Sequence, residues 1–377
     1  MASGTPDPKL GSEMKANVNA WLIISLTAPI PLLLLGLFFF NWYNRKADTD
    51  RVLSQLIQRQ NTTMAYDAIA VAGDISDFLE KSARDVQVFS LIPPTAESFR
   101  QFHDFQSGNI TEVDSKGDVL GVKLWPFYNR LSFVDNAGRF VLSLVEGKVD
   151  SQFHTLSDCK ESELCDQALL KLVLALPAGQ LRYGRVLRYY TPDGKPGNDS
   201  GASLSVAYRT DKGVFQLGLA YRQLKDNLTT PTFPYQPKRN LMLNYLQGNY
   251  VYVVDERGDV IIHPKYANVA GIDPKSGSWV PAMKTDDEEN NHPINIQAYQ
   301  SGKLKEYFDR LLKKSFVLGG VDIFQAPNLA GTVRVLSVAP IWLSRGQYKD
   351  SGVFGHVIVG VSVDHFQEPK EKIIPYY

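Results

Sequence analysis

The sequence says nearly the same thing twice. Phe133-Val-Asp-Asn-Ala-Gly-Arg-Phe-Val141 recurs as Val253-Val-Asp-Glu-Arg-Gly-Asp-Val-Ile261, with Asp135 matching Asp255 and Gly138 matching Gly258. Leu204-Ser-Val-Ala207 recurs as Leu336-Ser-Val-Ala339, and Gly213-Val-Phe215 returns as Gly352-Val-Phe354. The first two signatures keep their order at spacings of 120 and 132 residues. Solenoid repeats have periods of roughly 20–50 residues, so this spacing predicts two tandem modules of one fold.

A chain of 377 residues has room for two or three domains. Its 44% hydrophobic and 21% charged residues are ordinary globular material. Forty basic residues balance forty acidic ones, which lacks the basic footprint of a nucleic-acid binder. The two cysteines, Cys159 and Cys165, are close in sequence, and only His154 stands near them as a further metal ligand. A zinc site needs three or four ligands. Two buried thiols are one reading; a local disulfide, which persists in oxidising compartments, is the expectation.

Ala20 to Phe40 is almost wholly apolar, and no charge occurs between Lys15 and Arg45. Twenty-one residues rise about 32 Å as a helix, enough to cross a hydrocarbon core of about 30 Å. Trp21 and Trp42-Tyr43 fall where interfacial aromatics belong. A cleaved signal peptide would be shorter and end in small residues, so an uncleaved anchor over residues 20–44 is predicted, behind a cytoplasmic tail at 1–19. Arg45, Lys46, Arg51 and Arg59 outnumber Lys9 and Lys15, and the positive-inside rule alone would put the large domain in the cytoplasm.

Between Ala47 and Leu91 there is no proline and one glycine. Apolar or small residues at 57, 64, 71 and 78 interleave with 68, 75 and 89, a stripe that predicts one long amphipathic helix over residues 45–92. It could serve as a dimerising stalk or as a spine packed along the modules. Strands are expected at Tyr128–Phe133, Arg139–Val145, Leu181–Tyr190, Ser203–Tyr208, Val214–Arg222, Tyr250–Val254, Val260–His263, Arg334–Ala339 and Val353–Val363. Thr230 to Lys238 reads as a linker, and Asn240–Leu246 and Ser301–Lys314 as helices. The fold class is therefore α+β, with two antiparallel five- or six-stranded sheets, each turning at Asp135 or Asp255.

Anchor, stalk, two modules and an Asp-x-x-Gly turn in each resemble the double Cache sensor, a pair of PAS-like modules. The residues that carry the resemblance are Tyr250-Val-Tyr-Val-Val-Asp-Glu-Arg-Gly-Asp-Val-Ile-Ile-His-Pro264 and Gly360-Val-Ser-Val-Asp-His-Phe366. The resemblance implies a membrane-distal module at 93–235, a membrane-proximal module at 236–368 and a C-terminal tail at 369–377. It also implies an extracytoplasmic location on a single-pass anchor in the inner membrane, and a small-molecule ligand in the distal module. Such sensors signal through a second span to an output domain. Here the sequence ends in Ile-Ile-Pro-Tyr-Tyr377, so the output is expected on the rest of a longer receptor or on a separate protein, with a homodimer through the stalk. The amino-acid-binding signature of part of that family is not recognisable.

No catalytic set, phosphate loop or metal cluster is legible, so neither an enzyme nor a cofactor is expected. The acidic run Asp286–Asn291 lacks the glycine and ligand spacing of a calcium loop. As one strand, Leu181–Tyr190 would place Tyr183, Arg185 and Tyr189 on one face. Tyr128, Arg130 and Ser132 would likewise align, with Trp125 just before. An arginine amid aromatics can clamp a carboxylate with two bonds. Trp125, Tyr128, Arg130, Tyr183, Arg185 and Tyr189 are thus the candidate ligand-binding set. The rival reading is a structural or scaffolding envelope protein.

Overall fold

A proline-free run from Leu32 to Ile92 leaves nothing to break a helix, and in the computed structural model helix α1 runs over Pro29–Phe89. The structure describes residues 29–113, 119–159, 166–189, 201–226, 250–263, 295–296, 322–327 and 333–362. Two compact units separate, one of residues 1–60 with 367–377 and one of residues 61–366. In the first, α1 exposes Leu32 to Leu35, Phe38 to Phe40, Trp42 and Tyr43. Among the described residues no helix is long and apolar enough to cross a membrane; the predicted span starts at Ala20, and its portion before Pro29 lies outside them.

In the second unit the predicted stripe is buried. Met64, Ala68, Val71, Ile75, Phe78, Leu79, Val86 and Phe89 are all 7% exposed or less. Here α1 is a spine rather than a free stalk. Helix α2, Ala96–Phe105, starts where the Thr95 hydroxyl accepts the Ser98 N–H at 3.2 Å. Its Phe99 and Phe102 rings stand 4.5 and 4.9 Å from Phe89.

The strands β3 Tyr128–Asp135, β4 Phe140–Val145, β5 Lys148–Val149, β6 Leu181–Tyr183, β7 Leu187–Tyr189, β8 Gly201–Thr210 and β9 Gly213–Leu219 form a first antiparallel sheet, ordered β5-β4-β3-β9-β8-β6 with β7 also on β8. One face rests on α1 and α2: Phe215 packs on Phe89 at 5.4 Å and on Phe133 at 4.4 Å. The opposite face meets helix α3, Gln167–Leu174, through Val134, Leu156, Cys159, Leu169, Leu170, Val173, Ala207 and Val214. Cys159 is disulfide-bonded; Cys165 lies outside the described residues. A hairpin of β1 Ser107–Val113 and β2 Val119–Pro126 stands apart as a two-stranded sheet. Helix α4, Tyr221–Asp226, ties itself to it through the Gln223 amide, which donates to the Gly108 and Trp125 carbonyls at 3.2 and 2.6 Å.

A second antiparallel sheet comprises β10 Tyr250–Asp255, β11 Val260–Ile262, β12 Asp322–Pro327, β13 Val333–Trp342 and β14 Val353–Ser362, ordered β11-β10-β14-β13-β12. The described strands thus number seven and five, against an expectation of five or six in each. The predicted linker, Thr230 to Lys238, and the helices at Asn240–Leu246 and Ser301–Lys314 lie outside the described residues, as does the acidic run Asp286–Asn291.

The two sheets turn identically. Asp135 Oδ1 accepts the Ala137 and Arg139 backbone N–H groups, both at 2.9 Å, and Asp255 Oδ1 accepts those of Arg257 and Asp259 at the same distance. Gly138 and Gly258 close the turns at φ 76° and 91°, a region that favours glycine. Asp135 lies opposite Gly213, and Asp255 opposite Gly355. That register corrects two sequence matches. Gly213 corresponds to Gly355 rather than Gly352, and Leu204 to Val335 rather than Leu336. A Cβ on Gly213 or Gly355 would land on the carbonyl oxygen of Val134 or Val254. Gly355→Ala is therefore expected to destabilise the protein by about 1–3 kcal/mol, the usual toll of overpacking, measured by chemical denaturation of the variant against the parent.

Candidate functional site

Strand alternation alone would put Tyr128, Arg130 and Ser132 on one face, but the chain bulges at Asn129. Tyr128 lies opposite Leu219 and Arg130 opposite Gly218, so two residues of β3 advance while β9 advances one. The bulge turns Tyr128 to the α1 side. There it is wholly buried, and its hydroxyl donates to Asp85 Oδ2 at 2.5 Å. Burial first, then the charge of Asp85, raises its pKa well above the usual tyrosine value.

The predicted strand Leu181–Tyr190 is also interrupted. Residues 184–186 leave the sheet, splitting it into β6 and β7, so Tyr183 and Arg185 do not share a strand face. Tyr183 points to α1, donating to the Leu79 carbonyl at 2.7 Å, with the Tyr348 ring 6.1 Å away. Its burial raises its pKa. Arg185 instead reaches across to the second sheet, where its Nε lies 3.0 Å from Asp259 Oδ2 and its Nη2 3.5 Å from Oδ1. Trp125, at the end of β2, sits beneath the Arg222 guanidinium at 4.5 Å. The side chain of Tyr189 lies outside the described ones. Of the five candidates whose side chains are described, only Arg130 lies on the α3 side of the first sheet, beyond the bulge.

That face carries an unforeseen polar row. Cross-strand registry places Ser132 beside both Ser143 and Gln216, and Arg130 and Ser205 on either side of Gly218. Arg130, Ser132, Ser143, Ser205 and Gln216 are all buried, at 8% exposure or less. The Ser132 and Ser143 hydroxyls are 3.3 Å apart. Both ends of the Gln216 amide lack a hydrogen-bond partner among the described residues. An unsatisfied buried amide costs about 1–3 kcal/mol, so native chains rarely keep one without a use.

The second sheet serves as an internal control. With Gly213 matched to Gly355, Gln216 corresponds to Ile358 and Ser132 to Tyr252. His356 stands where the first sheet has Val214, and burial lowers its pKa to about 4. The buried amide is thus particular to the first sheet, Ile358 standing in its place in the second. Its signal was present in the sequence: Gly213-Val-Phe-Gln-Leu-Gly-Leu219 aligns with Gly355-His-Val-Ile-Val-Gly-Val361, glycine on glycine, with one glutamine against an isoleucine. Among the described residues no cluster of three metal-ligating side chains occurs.

No family model and no curated protein matches the chain. Among solved structures it is similar to extracellular and ligand-binding domains of histidine kinases and chemoreceptors. One is the extracellular domain of the histidine kinase soHK1S-Z6, at 14% identity over 83% of this chain and 97% of that one, with a TM-score of 0.40. Another is the ligand-binding domain of the Campylobacter jejuni chemoreceptor Tlp3 in complex with L-valine, at 12% identity over 84% and 97%, with a TM-score of 0.38. A third is that of the Pseudomonas fluorescens chemoreceptor CtaA, also with L-valine, at 11% identity over 81% and 97%, with a TM-score of 0.35.

Proposed function

We propose that this chain is a double Cache sensor, extracytoplasmic and anchored in the membrane through residues 20–44, whose first module binds a small molecule over the polar row of its sheet. The observation that carries this reading is Gln216, a buried amide with both ends unpartnered among the described residues, on a face where the duplicate sheet has apolar or aromatic side chains. A ligand that hydrogen-bonds the amide would recover the desolvation it loses on folding. Arg130 beside it favours a ligand with a carboxylate. The exposed apolar run Leu32 to Tyr43 supports the anchor. The module boundaries follow as 93–235 and 236–368. Signalling would proceed through an output protein and a dimer of this chain, since a ligand acts by favouring one of two arrangements.

Gln216→Leu separates this reading from a scaffold. It should stabilise the unliganded protein by about 1–3 kcal/mol, because it removes an unpaired buried amide. The same change should weaken the ligand by roughly ten- to a hundredfold, the worth of hydrogen bonds to a charged group. A thermal-shift screen of amino acids and organic acids on the full chain in detergent, parent beside variant, provides both readings. A variant that is less stable, or that keeps its ligand response, would return the row to a packing role.

A further inference from the structure

We propose a second binding site, for a short-chain carboxylate, in the cleft where the two sheets meet. This cleft has a volume of about 400 Å³, and its lining draws on both modules, a size that suits a small ligand. From the first module come Arg182 on β6, Arg185 just beyond it, and Asp166 and Leu172 from around α3; from the second come Arg257, in the Asp255 turn, and Gln347. Three arginines therefore line one void that has a single acidic residue, Asp166, among its lining.

Those three cations differ in their commitments. Arg185 is engaged by Asp259, whose side chain is fully buried. Among the described residues Arg257 pairs with its neighbour Glu256 alone, at 3.9 Å, and its side chain is 55% exposed. Arg182 forms no ion pair among the described residues. Two lightly held cations on different modules thus share the cleft. Leu172, 44% exposed, supplies an apolar wall. Gln347 fixes the floor: its Oε1 accepts the Tyr183 N–H at 3.1 Å and its Nε2 donates to the Tyr183 carbonyl at 3.0 Å. A cleft lined by both cationic residues and a leucine suits an anion with a short apolar body. Bound between Arg182 and Arg257, it would add a second link between modules beside Arg185–Asp259.

This site does not depend on the polar row of the first sheet, and the two can fail separately. The probe is butyrate, titrated against the full chain in detergent at constant ionic strength, with inorganic phosphate as the compact anion. Butyrate should raise the melting temperature saturably, and phosphate should do so less. Arg182→Gln and Arg257→Gln, substitutions of side chains outside the core, should each weaken butyrate about tenfold, as loss of one charge-assisted contact does at a partly solvated site. Gln216→Leu should leave the butyrate response unchanged. No saturable shift, an unchanged response in both arginine variants, or an equal response to phosphate would each overturn the proposal.

Discussion

Replacing Arg185 by alanine is expected to cost about 3 kcal/mol of stability at neutral pH, the lower end of the usual toll for breaking a buried ion pair. The lower end applies because the Arg185 side chain keeps 33% of its exposure, while Asp259 keeps none. In the first module the turn aspartate, Asp135, has its own cation: Arg139 reaches Oδ2 with Nε at 2.8 Å and Nη2 at 2.7 Å. In the second module the position of Arg139 is taken by Asp259, so the turn holds two acids where its counterpart holds an acid and a base. The missing cation arrives from the other module as Arg185, 74 residues away. Without it, Asp259 keeps the Asn295 amide at 2.8 Å but faces Asp255 unneutralised. Asp259→Asn in the same chain should recover most of the loss, since the amide needs no counter-charge. Urea denaturation of the two single variants and the double variant measures the coupling; strictly additive effects would show that the pair contributes nothing of its own.

The Asp-x-x-Gly turns and the long helix, though not its role as a spine, were legible because their chemistry is local. One carboxylate oxygen accepts two N–H groups within four residues, and one apolar stripe finds its partner wherever the sheet lies. The site was not legible, for three particular reasons. The bulge at Asn129 turns Tyr128 away from Arg130, and nothing in Tyr128-Asn-Arg-Leu131 announces it. The break at residues 184–186 sends Arg185 out of the strand that was to aim it, toward an aspartate in the other module. The third reason is register. Leu-Ser-Val-Ala matched as a string one residue out of its structural place, and Gly-Val-Phe three residues out. A strand's faces alternate at every residue, so those slips concealed the alignment in which Gln216 stands against Ile358. Short apolar strings recur by chance in strands, whereas the paired glycines of Gly213 to Gly218 and Gly355 to Gly360 are held in place, at Gly213 and Gly355, by backbone approach.

Stability should also fall as pH rises from about 4 to about 7, through Asp255. Burial first, and the neighbouring Asp259 second, raise its carboxyl to about 7, whereas in the unfolded chain it titrates near 3.9. Between those values the folded protein holds a proton that the unfolded chain has released, so each step up in pH favours unfolding. The contribution is complete below the unfolded pKa and lost once pH passes the folded one. A raise of this size corresponds to a few kcal/mol across the window. Asp135 is the internal contrast: the backbone N–H of Arg139 leads the groups that lower its pKa, and its contribution is lost only in more acid solution. Asp255→Asn isolates the effect, because the amide oxygen still accepts the Arg257 and Asp259 N–H groups and carries no charge. The variant should match the parent only below about pH 4 and exceed it in urea midpoint by a margin that grows up to about pH 7. If the difference between the two does not change with pH, Asp255 is not the group that titrates, and the two acids of this turn are held apart by something other than a shared proton.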